Sequence, residues 1–128
     1  MVGNLNVSGT GAVTVAGDVT TGDIQGTGTV TANVAVSGGT LTVGGNLGEG
    51  SGSASVTSAV TVSGGTLDMT HGNIAVDTFT LTGGTLKNMA YFSAGTSGGL
   101  NVQNTATLSY DVDASFASTV LTGALTLG

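Results

Sequence analysis

The feature that most constrains this chain is an imperfect internal repeat. In each copy a short alternating segment leads into two glycines, and a second alternating segment follows them. Three copies are clear, at residues 34–43 (VAVSGGTLTV), 60–69 (VTVSGGTLDM) and 79–86 (FTLTGGTL). Weaker copies lie at residues 8–15, 97–102 and 121–127. Self-similarity of this kind is typical of proteins that stack one structural unit on the next.

Each copy predicts a strand, a tight glycine corner and a second strand. Apolar residues alternate with Thr, Ser or Ala, which is the period of a half-buried strand. Helices are not expected, because charged residues make up only 6% of the chain and no window supplies a polar helix face. A change of phase at Asp77–Thr78 predicts a bulge or a corner there.

Two all-β architectures fit this pattern, a parallel β-solenoid (β-helix) and an antiparallel β-sandwich or barrel. The solenoid is favoured because the repeat spacing varies, from 26 residues between Gly39 and Gly65 to 19 between Gly65 and Gly84. Residues 47–53 are interpreted as a loop inserted between coils. The mostly small apolar residues suit a narrow interior, and no Asn-Gly or Asp-Gly hairpin signal occurs. We expect residues 1–128 to form one repeat domain, a fragment of a longer array.

The V-x-V-S-G-G-T-L-x-V unit resembles repeats in bacterial autotransporter passenger domains and haemagglutinin-type filamentous adhesins. Low-charge repeats of phage tail fibres are similar as well. The resemblance covers most of the chain, and it lies in the general pattern of the repeats rather than in a diagnostic motif. It implies a right-handed parallel β-helix that serves as a spacer or display element outside the cytoplasm. The sequence departs from these families in that it shows no asparagine ladder and no strict coil length.

Charge excludes several functional classes. The formal net charge is -6, and Lys87 is the single basic residue apart from His71, so no basic stripe for nucleic acid or an anionic membrane surface can form. No apolar run is long enough to insert in a membrane. The absence of cysteine suits a secreted protein. We therefore expect an extracellular or bacterial cell-surface location.

The sequence gives little support for any catalytic residue. Residues 95–99 (GTSGG) match the G-x-S-x-G pattern around Ser97, but a strand follows where a nucleophile elbow needs a helix. His71 is the only histidine and has Asp68 nearby in sequence, and the following glycine places it at a turn. We interpret Ser97 as part of a glycine corner and His71 as structural or solvated. The sequence predicts no catalytic or cofactor-binding residue, and no enzyme.

Candidate ligand sites are equally limited. Asp111 and Asp113 share one face of a strand, but a calcium site needs six to eight oxygen ligands, so no metal site or cofactor is predicted. Asn6 begins the one glycosylation sequon. Tyr91–Phe92 is the one aromatic cluster that could stack on a sugar, beside loops at residues 44–55 and 88–98.

Threonines in Thr-x-Thr pairs suggest a further hypothesis, ice binding through outward hydroxyl ranks. The pairs are Thr29/Thr31, Thr40/Thr42, Thr78/Thr80/Thr82 and Thr105/Thr107. Ice binding needs such ranks to align from coil to coil, and the irregular spacing predicts that they do not.

The preferred hypothesis is a non-catalytic structural segment of a secreted or surface-displayed adhesin or extracellular fibre. The alternatives are a module that binds ice or glycans, or a phage tail-fibre segment. A pectin-cleaving β-helix enzyme is set aside, because the chain has one lysine and no arginine. Neither terminus reads as a cap, so we expect copies to associate end to end.

Overall fold

The computed structural model describes residues 3–22, 25–52, 55–94, 100–102, 106–116 and 120–121. It assigns thirteen strands, and the described residues contain no helix. The strands are β1 (Gly3–Val7), β2 (Ala12–Val15), β3 (Val19–Thr21), β4 (Thr29–Val36), β5 (Thr40–Val43), β6 (Leu47–Glu49), β7 (Ser55–Val62), β8 (Thr66–Val76), β9 (Thr78–Leu81), β10 (Thr85–Ala94), β11 (Leu100–Val102), β12 (Thr107–Phe116) and β13 (Val120–Leu121). The described residues include no helix that could span a membrane.

Every strand pairing is parallel, and the strands form two sheets. The first sheet has the order β1-β4-β7-β9-β11-β13, and the second has the order β12-β10-β8-β5-β2, with β3 and β6 beside β8. Successive strands of one sheet are therefore one coil apart in the chain. This arrangement confirms the predicted parallel β-solenoid and excludes the antiparallel sandwich or barrel.

The glycine corners connect the first sheet to the second, as the repeat predicts. They lie at residues 37–39, 63–65 and 82–84, between β4 and β5, β7 and β8, and β9 and β10. Backbone hydrogen bonds continue through these corners from coil to coil, since Thr40 N–H donates to the Gly11 carbonyl and Thr66 N–H donates to the Gly39 carbonyl, both at 2.9 Å. Gly39 has a φ of 65°, which a β-branched residue adopts only at a cost.

A second corner bends the second sheet. In β8 it falls at Thr70 and His71, whose φ angles of 48° and 77° are rare for residues other than glycine. Beyond it, Ile74 pairs with Leu47 of β6, and Leu47 pairs with Val19 of β3. Residues 47–49 are therefore a strand of the solenoid, and the interpretation of 47–53 as a loop insertion was wrong in this part. The strand has three residues, Leu-Gly-Glu, and only the first is apolar, so the sequence shows no alternation there.

The predicted change of phase at Asp77 is a third corner. Asp77 separates β8 in the second sheet from β9 in the first, and the chain passes there to the next coil. Val76 and Phe79 on either side are both buried, which requires the inward face to shift by one residue at Asp77.

The core is one continuous column of inward side chains. Leu41, Leu67, Leu86 and Leu108 occupy equivalent positions of successive coils and are almost wholly buried. Burying each such side chain stabilises the folded state by roughly 1.5–3 kcal/mol. The interior also admits large residues, because Phe79 and Phe92 meet edge to face with ring centroids 5.4 Å apart. The core is thus mostly built of valine and leucine, as expected, and the two phenylalanines are exceptions.

A short Asx ladder runs along the second corner, contrary to the expectation that no asparagine ladder is present. Asn46 N–H donates to Asp18 Oδ1 at 2.7 Å, and Asn73 N–H donates to Asn46 Oδ1 at 3.0 Å. In the first sheet, Asn33 Nδ2 donates to Asn4 Oδ1 at 2.9 Å. The members stand at unequal separations, 28 residues from Asp18 to Asn46 and 27 from Asn46 to Asn73. Each of them follows a glycine, and this recurring Gly-Asx pair is the signal that sequence reasoning missed.

Candidate functional site

The outer face of the second sheet carries a rank of threonines. Thr40, Thr66, Thr85 and Thr107 are register partners in successive coils, and all four are half-buried. The expectation that unequal repeat spacing prevents such alignment was wrong. The extra residues of the longer coils lie elsewhere in the coil, so the residue that follows each corner keeps its register.

The neighbouring rank does not continue as threonine. It begins with Thr14 and Thr42 and continues with Asp68 and Lys87. On this sheet, Thr40 and Thr42 place two hydroxyls side by side in the second coil, whereas Asp68 and Lys87 lie beside the rank in the next two coils. A regular two-column hydroxyl array, which ice binding would use, is interrupted by the charged pair.

Asp68 and Lys87 belong to a compact polar cluster on this face. Lys87 Nζ lies 3.0 Å from Asp68 Oδ2, while Asn88 Nδ2 and Thr70 N–H donate to Asp68 Oδ1 at 2.8 and 3.1 Å. Burial alone would raise the pKa of Asp68, but the hydrogen bonds from Asn88, Lys87 and Thr70 outweigh it and lower the pKa. The cluster holds the carboxylate ionised and ties β8 to β10.

His71 lies beside this cluster, at the second corner, as the turn prediction implies. Its side chain is exposed, and the Thr70 hydroxyl next to it donates to the Val43 carbonyl at 2.6 Å. The Asp68 carboxylate is engaged by three donors of the polar cluster. Ser97 and the whole of residues 95–99 fall outside the described residues, so the structure gives no account of that motif.

A second polar cluster joins three coils at the corner formed by Asp77. The Ser58 hydroxyl, wholly buried, donates to Glu49 Oε1 at 2.6 Å and accepts from Asp77 N–H at 3.0 Å. Ser58 N–H in turn donates to Asp77 Oδ2 at 3.0 Å. Ser58 is the register partner of the buried Ala32, so its hydroxyl points into the core, where the Glu49 carboxylate and the Asp77 backbone N–H satisfy it. Sequence reasoning missed this cluster, because its members come from different coils.

The two carboxyl groups of this cluster influence each other. Partial burial raises the pKa of Glu49, and the hydrogen bond and charge of the adjacent Asp77 raise it further, while the bond from Ser58 opposes them. Beside the pair lies an open depression of about 260 Å³ lined by Glu49, Ala75, Val76, Asp77 and Ser93. Among the described residues no three metal-binding side chains come together.

The remaining sequence candidates are a carboxylate pair and an aromatic pair. Asp111 and Asp113 lie in β12, as predicted, but their side chains are outside the described part of the chain. Of the predicted aromatic cluster, Phe92 is buried in the core and Tyr91 alone is exposed, at 37%. One isolated ring offers little stacking area for a sugar.

The chain matches no protein-family model, no curated protein and no solved structure.

The raised pKa of Glu49 predicts how stability changes with pH. A carboxyl group whose pKa is raised by folding favours the folded state when protonated, so stability should rise as the pH falls from 7 towards 4.5, the ordinary pKa of glutamic acid. The pKa of Asp68 is lowered by folding, so its carboxyl group favours the folded state when ionised. This contribution to stability should be lost as the pH falls below 3.8, the ordinary pKa of aspartic acid. We expect maximal stability between about pH 4 and 5, measured by urea unfolding followed by circular dichroism.

The variant Glu49→Gln tests this assignment. Glutamine keeps the acceptor for Ser58 and offers an N–H to Asp77, so it should raise stability at pH 7 by up to about 1 kcal/mol, small because Glu49 is exposed. The rise in stability between pH 7 and 4.5 should flatten in this variant. The matched control Asp68→Asn should keep that rise and lose the decline below pH 3.8. An unchanged pH profile in Glu49→Gln would contradict the assignment.

Proposed function

We propose that this chain is a non-catalytic structural segment of a secreted or surface-displayed adhesin or extracellular fibre. The observation that supports it is the parallel pairing of strands from coil to coil, with backbone hydrogen bonds running along the axis of the solenoid. In a fold of this kind the number of coils sets the length of the molecule, since each added coil extends the axis by about 4.8 Å. Such a segment holds another part of the molecule at a set distance.

The outer surface supports the same proposal. The outward residues of β4 and β7 are Thr29, Thr31, Asn33, Ala35, Ser55, Thr57, Ala59 and Thr61, and none is charged. This face offers hydroxyl and amide groups without a concave site. Together with the absence of cysteine, such a neutral surface suits a protein that works outside the cell.

Ice binding is a second candidate, favoured by one observation, the aligned rank Thr40–Thr66–Thr85–Thr107. The charged pair Asp68–Lys87 beside the rank weighs against it. Inhibition of ice recrystallisation by the wild-type chain that Thr66→Lys abolishes would favour this candidate over the spacer.

The location can be tested on intact cells of the source organism. An antibody against this chain should label intact cells or detect the protein in the medium, and added protease should remove the surface signal. Cells permeabilised before labelling provide the control for total protein. Labelling confined to permeabilised cells, with no protein in the medium, would overturn the proposed function.

A further inference from the structure

The corner at Asp77 is the shortest of the corners by which the chain passes from one coil to the next. Residues 22–28 separate β3 from β4, residues 50–54 separate β6 from β7, residues 95–99 separate β10 from β11, and residues 117–119 separate β12 from β13. Asp77 alone separates β8 from β9. A corner of one residue can be held only by the contacts that this residue makes with other strands.

The register of the first sheet places Asp77 at the end of an inward rank. Ser58 pairs with Ala32, and both are wholly buried. Ala59 pairs with Thr78, so Asp77 follows Ser58 in the same rank. A carboxyl group at such a position needs polar partners. Ser58 supplies them, since its N–H donates to Asp77 Oδ2 and its hydroxyl accepts from Asp77 N–H, both at 3.0 Å.

Glu49 reaches the same point from the second sheet. It ends β6, where it pairs with the buried Thr21 of β3. Its carboxyl group accepts from the Ser58 hydroxyl at 2.6 Å and is hydrogen-bonded to the Asp77 carboxyl group. Two carboxyl groups form a hydrogen bond only when one of them holds a proton, because an ionised carboxylate has no hydrogen to donate. A protonated Glu49 makes both bonds at once, as acceptor to Ser58 and donor to Asp77.

Among the described residues, no basic side chain faces the two carboxyl groups. β3, β7 and β9 carry no ionisable side chain. The ionisable residues on the other elements around the pair are Asp18 before β3, Asp68 and His71 in β8, and Lys87 and Tyr91 in β10, while Asp23 lies outside the described residues. Lys87 is engaged by Asp68, at 3.0 Å. A shared proton therefore keeps the two carboxyl groups in contact, since two ionised carboxylates at this distance repel each other.

The open depression beside the pair gives the Glu49 side chain a second position. It has a volume of about 260 Å³ and is lined by Glu49, Ala75, Val76, Asp77 and Ser93. Glu49 is exposed, whereas Asp77 is half-buried and held at the corner by its backbone and side-chain hydrogen bonds. When the two groups repel each other, Glu49 is therefore the one that moves, and water in the depression solvates its charge.

From these contacts we infer that Glu49, Ser58 and Asp77 form a proton-operated latch within the folded solenoid. In the closed state, protonated Glu49 bridges Ser58 and Asp77 and fastens the end of β6 to the corner between the third and fourth coils. When Glu49 releases its proton to the solvent, its side chain turns into the depression and the Ser58 hydroxyl loses its acceptor. The latch goes beyond the spacer role, because it makes one joint between coils respond to pH.

Acid closes the latch. Partial burial and then the neighbouring Asp77 raise the pKa of Glu49 above its ordinary value of 4.5, against the opposing effect of the Ser58 hydrogen bond. A carboxyl group with a raised pKa holds its proton at pH 4.5 and loses it as the pH rises through the raised value. The latch should therefore be closed at pH 4.5 and open on the way to pH 7.

Nuclear magnetic resonance of the folded chain tests the latch directly. Overhauser contacts between the side chains of Glu49 and Ser58 should be present at pH 4.5 and lost at pH 7, while the spectrum stays that of a folded protein. The Asp77 carboxyl signal and the Ser58 amide signal should each show a step at the midpoint of Glu49, because they sense the same proton. Contacts that persist at pH 7, or no step at the Glu49 midpoint in either signal, would overturn the inference.

Glu49→Gln separates the proton from the shape of the side chain. Glutamine accepts from the Ser58 hydroxyl and offers an N–H to Asp77 at every pH, so this variant should keep the latch closed at pH 7. Its contacts with Ser58 should persist there, and the step should disappear from the Asp77 and Ser58 signals. If the contacts are lost at pH 7 as in the wild type, the proton does not operate the latch.

Asp77→Asn tests the other half of the pair. Asparagine keeps an acceptor for the Ser58 N–H and removes the second charge, so the titration midpoint of Glu49 should fall towards 4.5. The control Asp68→Asn changes a carboxyl group of the other polar cluster and should leave the Glu49 midpoint and its contacts unchanged. A Glu49 midpoint that stays the same in Asp77→Asn, or that falls equally in Asp68→Asn, would overturn the inference.

Discussion

Replacing Gly65 with alanine is expected to destabilise the folded state by roughly 3 kcal/mol or more. Gly65 is buried in the third-coil corner, where it stacks on the corner of the coil before. A Cβ atom at this position would lie 2.7 Å from the Gly39 carbonyl oxygen and 2.8 Å from the Gly38 carbonyl carbon. Both are backbone atoms held by the ladder of hydrogen bonds, so the corner would have to separate. Urea unfolding followed by circular dichroism measures the loss.

Gly11→Ala is the matched control for this substitution. Gly11 is the register equivalent of Gly39 in the first coil, but a Cβ atom there would meet nothing within 4 Å. Its replacement should change stability by no more than about 0.5 kcal/mol. Similar effects at Gly11 and Gly65 would show that local conformational preference, rather than the close stacking of corners, explains the glycines.

Removing residues 40–65 is expected to leave a shorter but folded solenoid. Thr40 and Thr66 are register partners, so the deletion joins Gly39 to Thr66 at the position that Thr40 held. Val13 would then face Leu67, Val34 would face Phe79, and Asp18 could accept the Asn73 N–H that Asn46 accepts now. The variant should keep β-type circular dichroism and a cooperative transition at a lower urea concentration, because it has lost one coil interface.

A deletion that is longer by one residue provides the contrast. Removing 40–66 joins Gly39 to Leu67, and this shift turns Leu67 and Met69 outward and Asp68 towards the core. We expect no cooperative unfolding transition and extensive aggregation. If both deletions fold, or if both fail, the register of the ranks does not determine which coils can be joined.

The repeat predicted the elements that depend on local pattern. Alternation identified the strands around residues 34–43 and 60–69, the paired glycines identified the corners, and the change of phase identified the corner at Asp77. These features depend on neighbours along the chain, so the amino-acid sequence alone contains them. The choice of a parallel solenoid followed from the unequal spacing of the same units.

Features that depend on the alignment of coils could not be predicted in the same way. The Thr40–Thr107 rank, the Asx ladder from Asp18 and the cluster at Ser58 all join residues from different coils. Coil length varies between residues that share a rank, so no fixed period relates them. β6 was missed for a related reason, since three residues are too short to show alternation, and its partners β3 and β8 lie in other coils.

The aromatic pair Phe79–Phe92 gives the solenoid a mechanical polarity. The interior of the first coil is lined by Leu5 and valines, whereas the fourth coil, formed by β9 and β10, buries two phenylalanines and Met89. Larger buried side chains contribute more free energy, so resistance to unravelling increases from the first coil towards the fourth. Under tension the first coil would detach before the aromatic coil.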